Sequence, residues 1–454
     1  MRPKLSCLLV AACAAGSLSA QQPPELKTVI ERLDRLEAQN RDLMAEIRAL
    51  RLQLAAGQPT ATPESASLVS TGDDETPPQP IADRVAIAER RLADLDQSKV
   101  STDHRLPVTL TGMVLFNAFL NGKGSGGADN PTVVAAAGGL ASGGATLRQS
   151  VIGLKLNGPN LVGGGKVTGA VYMDFFGGGT GLNQTVRLRV STLDATWKNT
   201  TLGLAFDKPI IAPREPDSLA QVGVSPLTAA GNLWLWQPQV RVEHRISLSE
   251  QSGLRAQFGL YQTSESGTGL STEYPDLAKA RPGYQGRFEY WAQSGTRRIE
   301  IAPGFHASST RVLGQSVPSR ILSIDWLIRP AARVDFTGTF FHGENSGVVG
   351  GLRQGVSVFN GQARAVGATG GWGQFTFRAT RRASFHLYGG QEDDRNRDLG
   401  PGAIGKNQGY GANIIYRLGS NILTSFEASQ MRTTYIGSGT RINPHYDLAF
   451  AYLF

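Results

Sequence analysis

The chain has 454 residues, a formal net charge of +8, 40% apolar, 18% charged and 8% aromatic residues, 55 Gly and only 2 Cys. Cys7 and Cys13 both fall in the first turns of the sequence, which excludes a disulfide scaffold, a thiolate metal site or a Cys nucleophile further on. The apolar share is too high for a disordered chain, and beyond the N-terminus no window reaches the ~18 apolar residues of a membrane helix. A large soluble all-β protein and a β-barrel that crosses a membrane in alternating strands remain.

Residues 1–20 have the layout of a secretory signal. Arg2 and Lys4 precede the apolar run Leu5–Ala15, and small residues follow to a cleavage point after Ser19 or Ala20. Val10-Ala11-Ala12-Cys13 also fits a lipoprotein processing site, but after a very short apolar stretch. Export removes nucleic acid as a partner despite the basic total.

From Pro24 to about residue 56 the spacing is heptad. Leu26, Leu33, Asn40, Ile47 and Leu54 share one seam position, and Val29, Leu36, Leu43 and Leu50 lie three residues on. Flanking charges agree, with Arg32 able to reach Glu37 of a neighbouring chain and Glu46 to reach Arg51. This predicts a coiled-coil stalk in which Asn40 sets register, although leucine at most seam positions leaves two or three strands open. Residues 57–80, rich in Pro, Ser, Thr and Ala, read as a flexible linker. A short helix over 81–104 follows, with Val85, Ala88, Leu92 and Leu95 on one stripe. The remainder, from 107 onward, carries 32 basic and 22 acidic residues.

At Pro107 the period changes to two. Val108, Leu110, Gly112, Val114, Phe116, Ala118 and Leu120 form one face of a first segment, and similar stretches recur at roughly 146–157, 165–176, 185–197, 200–206, 239–248, 253–262 and 281–292. Others follow at 297–309, 318–329, 333–344, 371–380, 383–391, 409–418, 421–432 and 444–454, making sixteen in all. Their spacing suits membrane strands of ~9–11 residues with connections. Short polar turns (Asn199-Thr200, Gln251-Ser252, Ser294-Gly295, Pro330–Ala332, Arg381-Arg382, Gly419-Ser420) alternate with long loops, the asymmetry of an outer-membrane barrel. The predicted fold is therefore an all-β transmembrane barrel of 16 antiparallel strands, over 107–454, behind an α-helical coiled coil. The last segment sets Tyr446, Leu448, Phe450, Tyr452 and Phe454 on one face and ends on that Phe, which is similar to the signal read by the bacterial barrel-insertion machinery.

A charge facing mid-bilayer lipid costs about 2–4 kcal/mol, so the apolar set must face outward and its complement the lumen. That parity turns Arg241, Glu243, Arg245, Arg255, Gln257, Arg287, Glu289, Arg298, Glu300, Ser323, Asp325, Arg333, Asp335, Thr376, Arg378, Asn413 and Arg417 inward. Arg187 and Arg189 join them if a bulge near Ser191 lets Leu193, Ala195 and Trp197 face lipid. Sixteen strands enclose water rather than a packed core. An arginine-rich wall favours anions, although carboxylates two residues away also permit a reading as paired charges that hold the wall together. The strand pattern is interrupted over 207–236 by Pro209, Pro213, Pro216 and Pro226. Asp207, Lys208, Arg214, Glu215 and Asp217 put charge there, and Leu233-Trp234-Leu235-Trp236 offers an anchor to the wall. The segment reads as a constriction loop folded into the pore, with a surface loop over a subunit contact as the alternative.

Chemistry other than passage has little support. The six His are scattered without metal-ligand spacing, and His306 near Ser308 and Ser309 is ordinary proximity in a Ser-rich chain. The Gly clusters at 163–165 and 177–179 lie in strand connections, and Glu392-Asp393-Asp394 with Asp398 reads as a solvated charge run rather than a Ca²⁺ site. No cofactor or metal is expected.

Taken together, signal, heptad stalk, Pro-rich linker, sixteen strands and terminal Phe resemble the trimeric porins of Gram-negative bacteria that carry a periplasmic coiled coil. Pro226–Trp234 (PLTAAGNLW) followed by Gln237-Pro238-Gln239-Val240-Arg241 resembles the DcaP-like family in particular. That resemblance implies a homotrimer in the outer membrane, passing small anionic solutes such as dicarboxylates, with the stalk in the periplasm. Phosphate-selective porins are similar in layout, but their dense Lys/Arg ladder is only loosely matched here. A rival from another class is a structural anchor whose stalk tethers the membrane to peptidoglycan.

Overall fold

A computed structural model describes residues 107–178, 184–263, 267–268, 282–359 and 361–454. The expected signal, linker, short helix and stalk seam (Leu26, Leu33, Asn40, Ile47, Leu54) lie outside the described residues.

Alternation produces extended chain wherever β-branched and aromatic residues take one face and polar residues the other. The strands in the first half are β1 (Val108–Asn121), β2 (Ser142–Thr146), β3 (Val151–Leu161), β4 (Gly165–Asp174), β5 (Arg187–Thr196), β6 (Thr200–Asp207), β7 (Gln237–Ser249) and β8 (Ser252–Gln262). A two-residue β9 (Gly267–Thr268) precedes β10 (Pro282–Ser294), β11 (Arg297–Val312), β12 (Gln315–Ala331) and β13 (Val334–Glu344). Then come β14 (Val356–Phe359), β15 (Gln362–Ala365), β16 (Gly367–Arg378), β17 (Ala383–Asp394), β18 (Ile404–Arg417), β19 (Ile422–Tyr435) and β20 (Gly439–Leu453).

Each long strand pairs antiparallel with the next, and β20 closes on β1 with Met113 opposite Leu453 and Asn121 opposite His445. The wall is a closed barrel of sixteen strands, β2 and β3 being two pieces of one: β2 pairs the upper part of β1 and β3 the lower. Closure leaves no unpaired edge, as a barrel surrounded by hydrocarbon requires. Large apolar residues such as Leu110, Phe116, Leu204, Phe258, Phe288, Leu322, Phe340, Phe426 and Phe450 stand exposed on the outer face. Buried polar ones (Asn117, Gln239, Gln285, Glu289, Asp325, Gln374, Asn413, Glu427) face inward from the same strands. Tyr452 and Phe454 belong to the outer face, and the Phe454 backbone bonds Gly112 across the closing seam.

Two sequence expectations need correction. The segments expected at roughly 297–309 and 318–329 are longer: β11 and β12, at 16 and 17 residues, run on to a two-residue turn, Leu313-Gly314. Both turn residues have positive φ (52° and 73°), the mirror-image turn whose twist suits a hairpin. The small sheet β9–β14–β15 packs beside this hairpin through Val312, Val317, Val356 and Ala363. Nor is the acidic run at 392–394 a solvated charge patch. Alternation buries Glu392 on Ser346 Oγ (2.6 Å) and the Leu352 N–H (3.0 Å) and buries Asp394 on Gln354 (2.7 Å), leaving Asp393 outside on Lys406 (2.8 Å).

Candidate functional site

The inner wall divides into two arcs. Along β7–β16 it is an alternating chain of charges. Arg245 donates to Glu243 (2.7 Å), Arg255 to Glu289 (3.0 Å), and Arg287 to both Glu289 (2.6 Å) and Asp325 (2.7 and 2.8 Å). Arg298 bonds Glu300, while Asp335 accepts a two-pronged bond from Arg329 (2.6 and 2.9 Å) and a further one from Arg378. On β5, Arg187 (2.6 Å) and Arg189 (2.9 Å) share Asp174. Two apart, they share a face, and the expected bulge lies at Arg189, where Met173 pairs Leu188 and Tyr172 pairs Val190, so that Leu193 beyond it turns outward.

Depth separates the two signs. The carboxylates of Asp174, Glu289, Glu300, Asp325 and Asp335 are at most 8% exposed, whereas Arg187, Arg189, Arg214, Arg255, Arg298, Arg329 and Arg378 keep 14–45% of their side chains exposed. Buried acids thus hold the guanidinium groups in place, and the guanidinium groups form the layer facing the lumen. With Arg287 included, seven arginines of these strands and Arg214 of the internal segment rest on five carboxylates, beside the more exposed pair Arg245–Glu243. The balance reverses around Arg241, which serves both Asp207 (2.9 Å) and Asp194 (3.8 Å), and along β17–β20, where Glu392, Asp394, Glu427 and Asp447 are buried without an ion pair among the described residues.

Residues 208–236 run inside the barrel. Arg214 reaches the charged arc, bonding Asp325 (2.8 Å) and Glu300 (2.6 Å). Lys208 pairs with Glu215 (3.2 Å), and Ile211 and Leu233 pack on the inward side chains of Ile321 and Phe341. Opposite, along β16–β20 and β1, the wall holds the segment with neutral amides. Asn117 donates to Leu219 O (2.9 Å), Gln149 to Ala220 O (2.7 Å), Asn413 to Asp217 O (2.9 Å) and Asn407 to Ala229 O (2.8 Å). Gln149 also accepts from the Gly223 N–H (2.7 Å), a reach made possible by the break between β2 and β3. Glu427 accepts from Ser218 (2.6 Å), Tyr388 (2.7 Å) and Asn413 (2.9 Å). Asp217 exchanges two bonds with Gln374 (2.8 and 2.6 Å) and lies 3.5 Å from the His386 ring. Gly231, at φ 102°, lets the segment touch the wall, since a Cβ there would sit 2.2 Å from Gly371 O. Trp236 lies under Arg187 and Arg189 at 4.9 and 5.0 Å, and Trp234 meets its edge.

Of the residues singled out from sequence, Arg187, Arg189, Arg241, Glu243, Arg255, Arg287, Glu289, Arg298 and Arg378 belong to this wall, with Arg245 at its exposed end. Arg333 does not: it occupies the turn between β12 and β13, exposed, where the strand parity no longer applies. Arg329 was missed, although it continues the inward series Ser323–Asp325–Leu327. Asn413 was placed inward by parity, whereas Arg148, on Asp129 (2.9 Å), and the other amides of the opposite arc carried no comparable signal. His306 hydrogen-bonds Gln285 (3.2 Å) and Ser308 (3.0 Å), both neutral, and no carboxylate orients its ring among the described residues. Those residues hold no group of three or more side chains arranged for a metal ion.

Solved structures share this architecture. The outer membrane channel DcaP of Acinetobacter baumannii superposes with a TM-score of 0.63 at 16% identity, over 76% of this chain and 97% of that one. This is the porin fold. An anion-selective porin from Comamonas acidovorans (TM-score 0.53, 13% identity, 76% and 99% covered) and OprB of Pseudomonas putida (0.52, 9%, 78% and 96%) share it. No protein-family model matches the chain, and no curated protein matches it by sequence. At these identities the likeness is one of porin fold.

Proposed function

We propose that this protein is an outer-membrane porin of the DcaP-like kind, a passive channel for small polar solutes that prefers anions, small dicarboxylates among them. One observation carries the reading: Asp174, Glu289, Glu300, Asp325 and Asp335 are buried, while all but Arg287 of the arginines that rest on them stay partly exposed, so a passing solute meets positive charge first. Fixed guanidinium groups at a narrow point select anions by charge, and their fork geometry matches carboxylates. In this reading Arg187, Arg189, Arg241, Arg255, Arg298 and Arg378 line the pore, whereas Arg287, expected to do so, is buried at 2% exposure between Glu289 and Asp325, and the 207–236 segment (Asp207, Lys208, Arg214, Glu215, Asp217) narrows the lumen. The names of two fold relatives, an outer membrane channel and an anion-selective porin, point the same way. Planar-bilayer recording across a KCl gradient tests it. The reversal potential should have the anion-selective sign, succinate should reduce chloride current, and a cation-selective potential would refute the preference.

The same reading makes the protein a homotrimer with a periplasmic stalk, inserted through its Tyr452/Phe454 end. Leu33→Asp with Ile47→Asp should weaken the oligomer on native gels, and an unchanged trimer would show that barrel contacts suffice. The segments packed inside the barrel favour one rival, an anchor with a plugged lumen. Absence of any steady conductance would decide for it.

A further inference from the structure

We propose that the outer wall of β11–β19, at the long-loop rim, is a binding site for a phosphorylated glycolipid of the outer leaflet. This goes beyond solute passage and rests on the outer-membrane reading. The long-loop end of such a barrel faces the cell exterior, so this rim lies level with the outer-leaflet headgroups.

A recess of about 530 Å³ opens on the outside of the wall, framed by Phe305, Leu322, Arg320, His342, Glu344 and Arg395. Its two levels follow from register. Ala307, Arg320 and Glu344 lie opposite one another across the strands, with Phe305, Leu322, His342 and Thr369 one level below. Exposed apolar side chains (Leu322, Phe340) therefore give way to cations within a single step along the wall. Below and beside the recess lie two more, of about 320 and 360 Å³, floored by the outward glycines Gly371, Gly373 and Gly389. A Cβ on Gly373 or Gly389 would meet nothing closer than 3.9 or 3.6 Å. Packing does not demand glycine at these two positions, and its effect is a furrow in a wall otherwise studded with large residues. That furrow suits an acyl chain.

Charge identifies the headgroup. Arg320, Arg395, Arg397, Lys406 and Arg432 stand on this rim against Glu344, Asp393 and Asp398, five cations to three acids. Arg320 and Arg432 form no ion pair among the described residues, and Arg320 does not close on Glu344, its cross-strand neighbour. Five strand spacings separate β12 from β19, an arc of about 24 Å, too broad for one single-phosphate headgroup. Between the cations lie Thr369, bonded to His342 (2.7 Å), and Gln391, bonded to Gln408 (3.1 Å), which present hydroxyl and amide groups suited to sugar hydroxyls. Spread cations, neutral polar groups between them and an apolar furrow beneath fit a phosphorylated sugar carrying several acyl chains.

The test uses the full chain in detergent with bisphosphorylated lipid A, dephosphorylated lipid A and phosphatidylglycerol, read by native mass spectrometry. Bisphosphorylated lipid A should be retained over the other two, about tenfold less in the Arg320→Glu/Arg395→Glu/Arg432→Glu variant. Gly373→Leu/Gly389→Leu should also weaken it, while heat-dependent gel mobility confirms folding of both. Equal retention of phosphatidylglycerol, unchanged binding in the charge variant, or a changed oligomer size in that variant (marking the face as a contact between copies) would overturn the site. Bilayer conductance of the same samples separates the two ideas. These residues face away from the lumen, so a conducting channel without lipid A binding refutes this inference alone, and lipid A binding without conductance refutes only the porin reading.

Discussion

The two arcs of the inner wall face the same internal segment and hold it by different means. From β7 to β16 the side chains are charged, paired and layered, with acids beneath and arginines above. From β17 round to β1 they are mostly amides and hydroxyls, with the buried carboxylates of Glu392, Asp394, Glu427 and Asp447 among them, and several of the amides bond backbone carbonyls of the segment itself. A charged wall sets a field at a distance, whereas amide-to-carbonyl bonds act only on contact and have no net charge to impose. The comparison assigns field and fixation to opposite sides of one lumen.

Breaking the first arc should have the larger effect. Arg255→Glu/Arg298→Glu/Arg378→Glu replaces three exposed cations with acids while leaving the apolar outer face intact. The reversal potential in a KCl gradient is expected to change sign, and a potential that stays anion-selective would place the field elsewhere. Asp335→Asn is the finer version. It frees Arg329 and Arg378 from their shared acid, so anion preference should rise modestly, and a fall would mean that the pair is needed to position both guanidinium groups.

Removing what lies between the arcs ranks next. Deleting Ile211–Val224 takes away Arg214, Asp217, Ser218 and the carbonyls that Asn117, Gln149 and Asn413 hold. Single-channel conductance should rise roughly twofold as the narrow point is lost. Unaltered conductance would show that current passes elsewhere.

The period of two made much of this arrangement legible from the amino-acid order. Hydrocarbon outside and water inside impose opposite demands on successive residues, so Arg255, Arg287, Glu289 and Arg378 could be placed by parity alone. Parity fails where the chain stops being regular. Arg333 lies one residue beyond a strand end, the β5 bulge sits at Arg189 and not Ser191, and the acidic run at 392–394 is sorted into buried and exposed by the strand that carries it. The amide arc was hidden for another reason. Asn117 meets Leu219 across 102 positions and Asn407 meets Ala229 across 178, and a neutral amide leaves no mark in composition or charge that would point to so distant a partner. Only the four prolines signalled that residues 207–236 leave the sheet.

The second arc should yield the smallest and most specific effect. Glu427→Leu leaves Ser218, Tyr388 and Asn413 without their shared acceptor, at about 1–3 kcal/mol for each buried donor that finds no substitute. None of these groups lies on the charged arc, so the reversal potential should keep its value. What should change is the steadiness of the internal segment, seen as open-channel current noise and brief closures that the parent protein lacks, with a lower temperature for loss of the folded band on unheated gels. Glu427→Gln keeps one carbonyl acceptor and should fall between the two. If Glu427→Leu shifted ion selectivity as strongly as the arginine reversals, field and fixation would not be separable, and the division between the arcs would have to be abandoned.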